Sequence, residues 1–129
     1  MPKDNLLTIT YKTKGKLPRL PFAKLRDAIL GADYELGIAV VTEKESRALN
    51  NQFRHKDHAT TILSFSYTKK SGDLVVHIPS MCTQAPDFDM TYPKFCRYLF
   101  IHGMLHLKGM EHSSTMEKEE QKFLKKFGS

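Results

Sequence analysis

The stretch "YPKFCRYLFIHGMLHLK", Tyr92 to Lys108, constrains this chain more than any other. Wound as a helix at about 100° per residue, it has almost no polar side. Arg97 and Lys108 share one narrow stripe that marks the solvent face. Roughly opposite stand His102 and His106, about 40° apart on the same turn geometry, flanked by Phe95, Tyr98, Leu99 and Leu105. A helix that is apolar nearly all round belongs in the core, so the rest of the chain is expected to pack around it. Its two inward imidazoles then need polar partners in an apolar setting.

The continuation "HGMLHLKGMEH", residues 102 to 112, offers such a partner. Histidines at i and i+4 suit one metal ion, which takes neutral imidazole as ligand. On an unbroken helix His112 lies about 9 Å beyond His106 along the axis. Zinc–nitrogen bonds are only about 2.0–2.1 Å long, so His112 joins the site only if the chain turns back. Gly109 is placed to end the helix in a left-handed cap and allow that turn. Three neutral ligands leave a position for water, which marks a catalytic rather than a structural zinc. A structural site needs a fourth protein ligand. Cys96 lies on another side and more than a turn upstream, whereas the spacing of Cys82 leaves it open. Zinc peptidases share the H-x-x-x-H-x-x-G-x-x-H spacing but place a glutamate after the first histidine. Here that residue is Gly103, which removes the usual proton shuttle and argues against peptide hydrolysis. The plainer alternative is a pair of hydrogen-bonded core histidines.

Around this helix the sequence alternates strands and helices. "LLTITY", Leu6 to Tyr11, is rich in β-formers and reads as a strand. Phe22, Leu25, Ala28 and Ile29 fall at helical spacing, with Gly31 as the stop. "YELGIAVVT" reads as a buried strand. Thr42 is placed as the N-cap of a helix to about Arg54, with Glu43 and Glu45 in its first turn. "RHKDHATT" is a polar loop, and "ILSFSY" and "DLVVHI" are strands joined through "TKKSG". Pro79 ends the second of these and opens a short helix. "APDFDMTYP" reads as a loop. Ser113, Ser114 or Thr115 caps a last helix, with acids early and lysines late. The expected architecture is α+β, one compact domain over 1–129. A small mixed sheet of about four strands packs with helices, and the metal-site helix lies in the core.

No apolar run reaches the ~18–20 residues of a membrane span, and the start "MPKDNLLTIT" lacks a signal-peptide pattern. A cytoplasmic protein with Cys82 and Cys96 reduced is expected. The formal charge of +6 favours a polyanionic partner such as nucleic acid, or else only a solvated basic surface.

The histidine segment closely resembles the H-G-x-L-H-L-x-G-Y-D-H signature of the YbeY family of metal-dependent endoribonucleases and ribosomal-RNA maturation factors. "FRHKDHATTILSFSY", Phe53 to Tyr67, is similar to that family's [YF]-R-x-K-D-x-P-T-D-V-L-S-F-P, and "GDLVVHIP" to its G-D-I-V-I segment. The resemblance implies a compact α+β fold and one zinc per chain on His102, His106 and His112. It also implies action on small-subunit ribosomal RNA. Arg54 falls on the family's arginine near the metal cleft, and Leu63, Ser64 and Phe65 on its L-S-F strand. The chain departs from the pattern at Ala59, Thr61, Ser66, Met110 and Glu111. Thr61 replaces an aspartate, which puts in question any orienting role for that carboxylate; Glu111 keeps a carboxylate beside His112.

Zinc can lower the pKa of bound water to about 7, so hydrolysis needs no strong protein base. Phosphodiester cleavage builds negative charge, which Arg54 is the candidate to bind; otherwise it is a surface arginine ending a helix. Lys12, Lys14, Lys16 and Arg19, and separately Arg54, Lys56, Lys69 and Lys70, could track an RNA backbone or serve solubility. His55, His58 and His77 read as ordinary histidines, Cys82 and Cys96 as inert packing residues, and the last helix's lysines as a solvated face. Besides a zinc endoribonuclease, two functions stay open: a non-catalytic ribosome-assembly factor with structural zinc, and a zinc hydrolase of another substrate.

Overall fold

The computed structural model describes residues 6–54, 61–111 and 113–127, apart from the side chains of Phe53 and Arg54. Its elements run β1 (Leu7–Tyr11), α1 (Phe22–Ile29), β2 (Glu35–Val40), α2 (Glu43–Arg54), β3 (Ile62–Thr68), β4 (Ser71–Val76), α3 (Ile78–Gln84), a 3-10 helix (Ala85–Phe88), α4 (Tyr92–Leu107) and α5 (Ser114–Phe127). The strands form one sheet in the order β1-β2-β4-β3. β1 and β4 both run parallel to β2, and β3 closes the far edge antiparallel to β4. This is the mixed four-stranded α+β sheet that the sequence predicts.

Side-chain alternation explains which face is covered. Leu36, Ile38 and Val40 of β2, with Leu74 and Val76 of β4, are buried together with α4's Phe95, Phe100, Ile101 and Met104. Their neighbours Gly37, Ala39, Asp73 and Val75 lie on the other face and are only half buried. α4 packs against β3, β4, α1, α3 and α5, as expected of a helix with no polar side. Among the described residues no helix is long and apolar enough to cross a membrane.

Local signals set most boundaries. The Glu45 amide donates to Thr42 Oγ1 at 3.2 Å, the expected N-cap of α2. Ser113, rather than Ser114 or Thr115, caps α5, its hydroxyl accepting from the Met116 amide at 3.2 Å. The β3–β4 hairpin carries a register shift between Ser66 and Thr68, which leaves Tyr67 as the extra, exposed residue. "APDFDMTYP" departs from the loop reading at its start. Pro86 favours the first turn of the short 3-10 helix, and Asp89, at φ 55, ends it in the left-handed region.

Candidate metal centre

α4 ends in a Schellman turn. The Met110 amide donates to the Leu105 carbonyl at 3.1 Å and the Gly109 amide to the His106 carbonyl at 2.9 Å. Gly109 holds φ at +105°, the left-handed region that a side chain resists. So the chain leaves the helix axis directly after Leu107, where the sequence spacing requires it to turn.

That turn also fixes His106. Its Nδ1 lies 3.0 Å from the Met110 carbonyl oxygen, which can only accept, so Nδ1 carries the proton. Nδ1 of His102 lies 2.6 Å from Glu120 Oε2 on α5, and it donates to that carboxylate. Glu120 is only 5% exposed, so this hydrogen bond is sheltered from water. With both Nδ1 protons committed, both Nε2 atoms present lone pairs, and these face each other 3.1 Å apart. Two ligand nitrogens on a tetrahedral zinc, at about 2.0–2.1 Å from it, stand about 3.3 Å from each other. The pair therefore has the tautomers, the outer partners and nearly the spacing that a shared cation needs. Among the described residues no third histidine, cysteine or carboxylate completes the pair as a metal-ligand group. His112 lies outside the described residues, as do the Arg54 side chain, His55, Lys56 and His58.

Glu120 is the functional residue that the sequence reading missed. The signal was present, because Met116, Glu120 and Phe123 share the buried stripe of α5 at helical spacing. A carboxylate on an apolar stripe needs a partner, and here the partner is His102. The lysines of α5 do lie exposed on its other faces.

The position after His102 has its own explanation. A Cβ on Gly103 would stand 2.8 Å from Leu74 Cδ2 and 3.1 Å from Ile62 Cδ1. The residue faces the sheet, and Ser64 Oγ donates to its carbonyl at 3.3 Å. A glutamate here would be driven into the apolar layer, not toward the imidazoles. Thr61, at the family's aspartate position, is buried and donates to Gln84 Oε1 at 2.7 Å, so it ties β3 to α3.

Two other readings need adjustment. Cys82 is exposed on α3 and is not a packing residue, while Cys96 is buried and its thiol is pushed up to about 12 by that burial. Arg97 is half buried, and its Nε is enclosed without a hydrogen-bond partner among the described residues, so its stripe is not fully solvent-facing. His77 is a satisfied core histidine: its Nδ1 pairs with the Ser80 hydroxyl, and burial holds its pKa below the usual range, with Glu43 partly opposing. Lys12, Lys14, Lys16 and Arg19 are all exposed, and Lys12 makes an open pair with Glu45 at 3.3 Å.

Residues 18–128 match the family described as endoribonuclease YbeY. A protein of that name from Albidiferax ferrireducens is 32% identical over 123 residues, covering 89% of this chain and 83% of its own length. Another, from Aromatoleum aromaticum, is 37% identical over 100 residues, covering 75% of this chain and 65% of its own. The solution structure of TM1509 from Thermotoga maritima superimposes with a TM-score of 0.63 at 26% identity, over 94% of this chain and 88% of that one.

Proposed function

This chain belongs to the endoribonuclease YbeY family, and from that membership we propose that it is a zinc-dependent endoribonuclease of the cytoplasm, acting on small-subunit ribosomal RNA or ribosomal particles during ribosome maturation. The observation that carries the metal dependence is the histidine pair. His102 and His106 turn unprotonated Nε2 atoms toward one point, 3.1 Å apart, while Glu120 and the Met110 carbonyl hold their other nitrogens. His112, three residues past the helix-ending glycine, is the third ligand. Bound zinc supplies a Lewis acid for a phosphoryl oxygen and a nucleophile at neutral pH, so no glutamate at position 103 is required.

The chain's own residues do the rest. Glu120 fixes the tautomer and orientation of His102. Arg54, at the end of α2, binds phosphate beside the metal and offsets the charge that develops there. The net charge of +6 draws a polyanionic strand to the surface.

Cleavage of an RNA substrate by purified protein tests the reading. Activity is expected to vanish with a chelator and return with zinc. His106→Ala should lose most of its metal, since two ligands remain. Arg54→Ala should keep its zinc and fold but cleave more slowly. Arg54→Lys should recover part of the rate, because an ammonium keeps charge without the two-oxygen fork. A zinc-loaded protein that binds RNA and leaves it intact would instead support an assembly factor. Activity on esters or peptides with no RNA affinity would support another hydrolase.

A further inference from the structure

A concavity of about 570 Å³ opens at the C-terminal end of α4, between Leu107, Lys108 and the β3–β4 hairpin. That volume is within the range of small-ligand sites, about 300–1,000 Å³. Its floor holds an unmet demand. Tyr34 is 2% exposed, yet its hydroxyl has no hydrogen-bond partner among the described residues. The hydroxyl sits over Gly72, where a Cβ would come within 2.5 Å of it, and beside Leu107. A buried hydroxyl left unpaired costs stability, so a fold that keeps one at the bottom of an opening calls for a ligand that pairs it.

The rim adds charge. Lys70 is tied to Asp33 at 2.9 Å, and Tyr67 to Asp73 at 2.8 Å. Lys69 and Lys108, both exposed, make no ion pair among the described residues. Leu30 and Leu107 give an apolar wall, and Ser66 a hydroxyl. An apolar wall, one buried hydroxyl and two free cations match a ribonucleotide unit: a base against the leucines, a polar base or ribose atom on Tyr34, a phosphate on the lysines. The helix end itself carries partial negative charge, which keeps the phosphate on the lysine side. The site adjoins the metal centre, because the Schellman turn that forms its wall also holds His106.

We propose that this concavity is a ribonucleotide subsite that grips the substrate strand beside the metal centre; this rests on the endoribonuclease reading. Titration of adenosine 5′-monophosphate into the full-length protein, by calorimetry, is the test, with adenosine and inorganic phosphate as separate arms. The nucleotide should bind at one site, more tightly than either fragment. Binding should survive chelation and His106→Ala, since none of the residues lining the subsite is a proposed metal ligand. Tyr34→Phe should weaken it about three- to tenfold while raising the thermal midpoint. Lys69→Ala with Lys108→Ala should weaken it and flatten its salt dependence.

The inference fails if Tyr34→Phe stabilises the protein and leaves nucleotide binding unchanged, or if binding disappears with the metal. RNA cleavage separates this from the wider reading. Subsite variants that cleave RNA with unchanged KM overturn the subsite alone. A protein that binds the nucleotide through Tyr34 but never cleaves RNA overturns the endoribonuclease alone.

Discussion

Glu120 Oε2 stands 2.6 Å from Nδ1 of His102, joining two helices whose contacting residues are 18 positions apart in sequence. This bond makes α5 part of the candidate metal centre and not merely a lid on the core. Replacing a carboxylate that orients a ligating histidine typically costs about 10–100-fold in metal affinity. Glu120→Gln should keep a hydrogen-bond acceptor and lie near the lower end. Glu120→Ala should lie near the upper end. Competition with a chelator of known affinity checks this, and unchanged zinc affinity in both variants would remove Glu120 from the site.

Gly109 isolates the effect of backbone conformation. Among the described residues a Cβ there meets nothing within 4 Å, so the cost of Gly109→Ala is set by φ +105°. That cost is about 1–2 kcal/mol for an L-residue in the left-handed region. Gly109→Asn should be milder, since asparagine tolerates that region. Urea denaturation should rank the variants Gly, Asn, Ala in falling stability. Zinc affinity should follow the same order, because Met110 holds His106 from this turn; an equally stable alanine variant would contradict the argument.

Gly103 makes the opposite case, where space decides. Alanine gains about 1 kcal/mol of helix propensity over glycine but crowds Leu74 and Ile62, and such overpacking typically costs about 1–3 kcal/mol. Gly103→Ala should therefore be destabilised by about 1 kcal/mol. Gly103→Glu should be far worse, because it also buries a carboxylate against the sheet, and it should show no peptidase activity. A stable, well-folded Gly103→Glu protein would refute the placement of this residue.

His77 sets an expected pH dependence. Burial lowers its folded pKa below the ordinary 6.5, so the unfolded chain binds the extra proton first as pH falls. Its contribution to stability is complete above pH 6.5, declines as pH drops through 6.5, and levels off below the depressed folded value. An NMR titration should find the His77 midpoint below that of a model peptide. His77→Gln should lose less stability than the parent over the same acid range.

Much of this was legible in the sequence because the signals are local. The strands follow from alternation, α2 from Thr42 and the break after α4 from Gly109. The burial of α4 follows from its lack of a polar side. Less legible was anything set by contact across elements. Glu120 looks like one more acid in "EKEEQ" until the stripe of Met116 and Phe123 is traced. Cys82 and Cys96 are the same residue type, yet α3 turns one outward while α4 buries the other. Tyr34 reads as the start of a strand, and no periodicity tells that its hydroxyl ends beneath a hairpin.

The antiparallel β3–β4 edge has a kinetic consequence. It is the one pairing in the sheet closed by a two-residue turn, whereas β1–β2 and β2–β4 each wait on a crossover. Short loops close fastest, and non-local parallel pairings come later. The hairpin should thus be the folding nucleus, with β2 and then β1 added outward. Substitutions at the Leu63–Val75 pair should slow folding, and substitutions in β1 should mainly speed unfolding. Fast mixing with both sets of variants would show whether assembly begins at that edge.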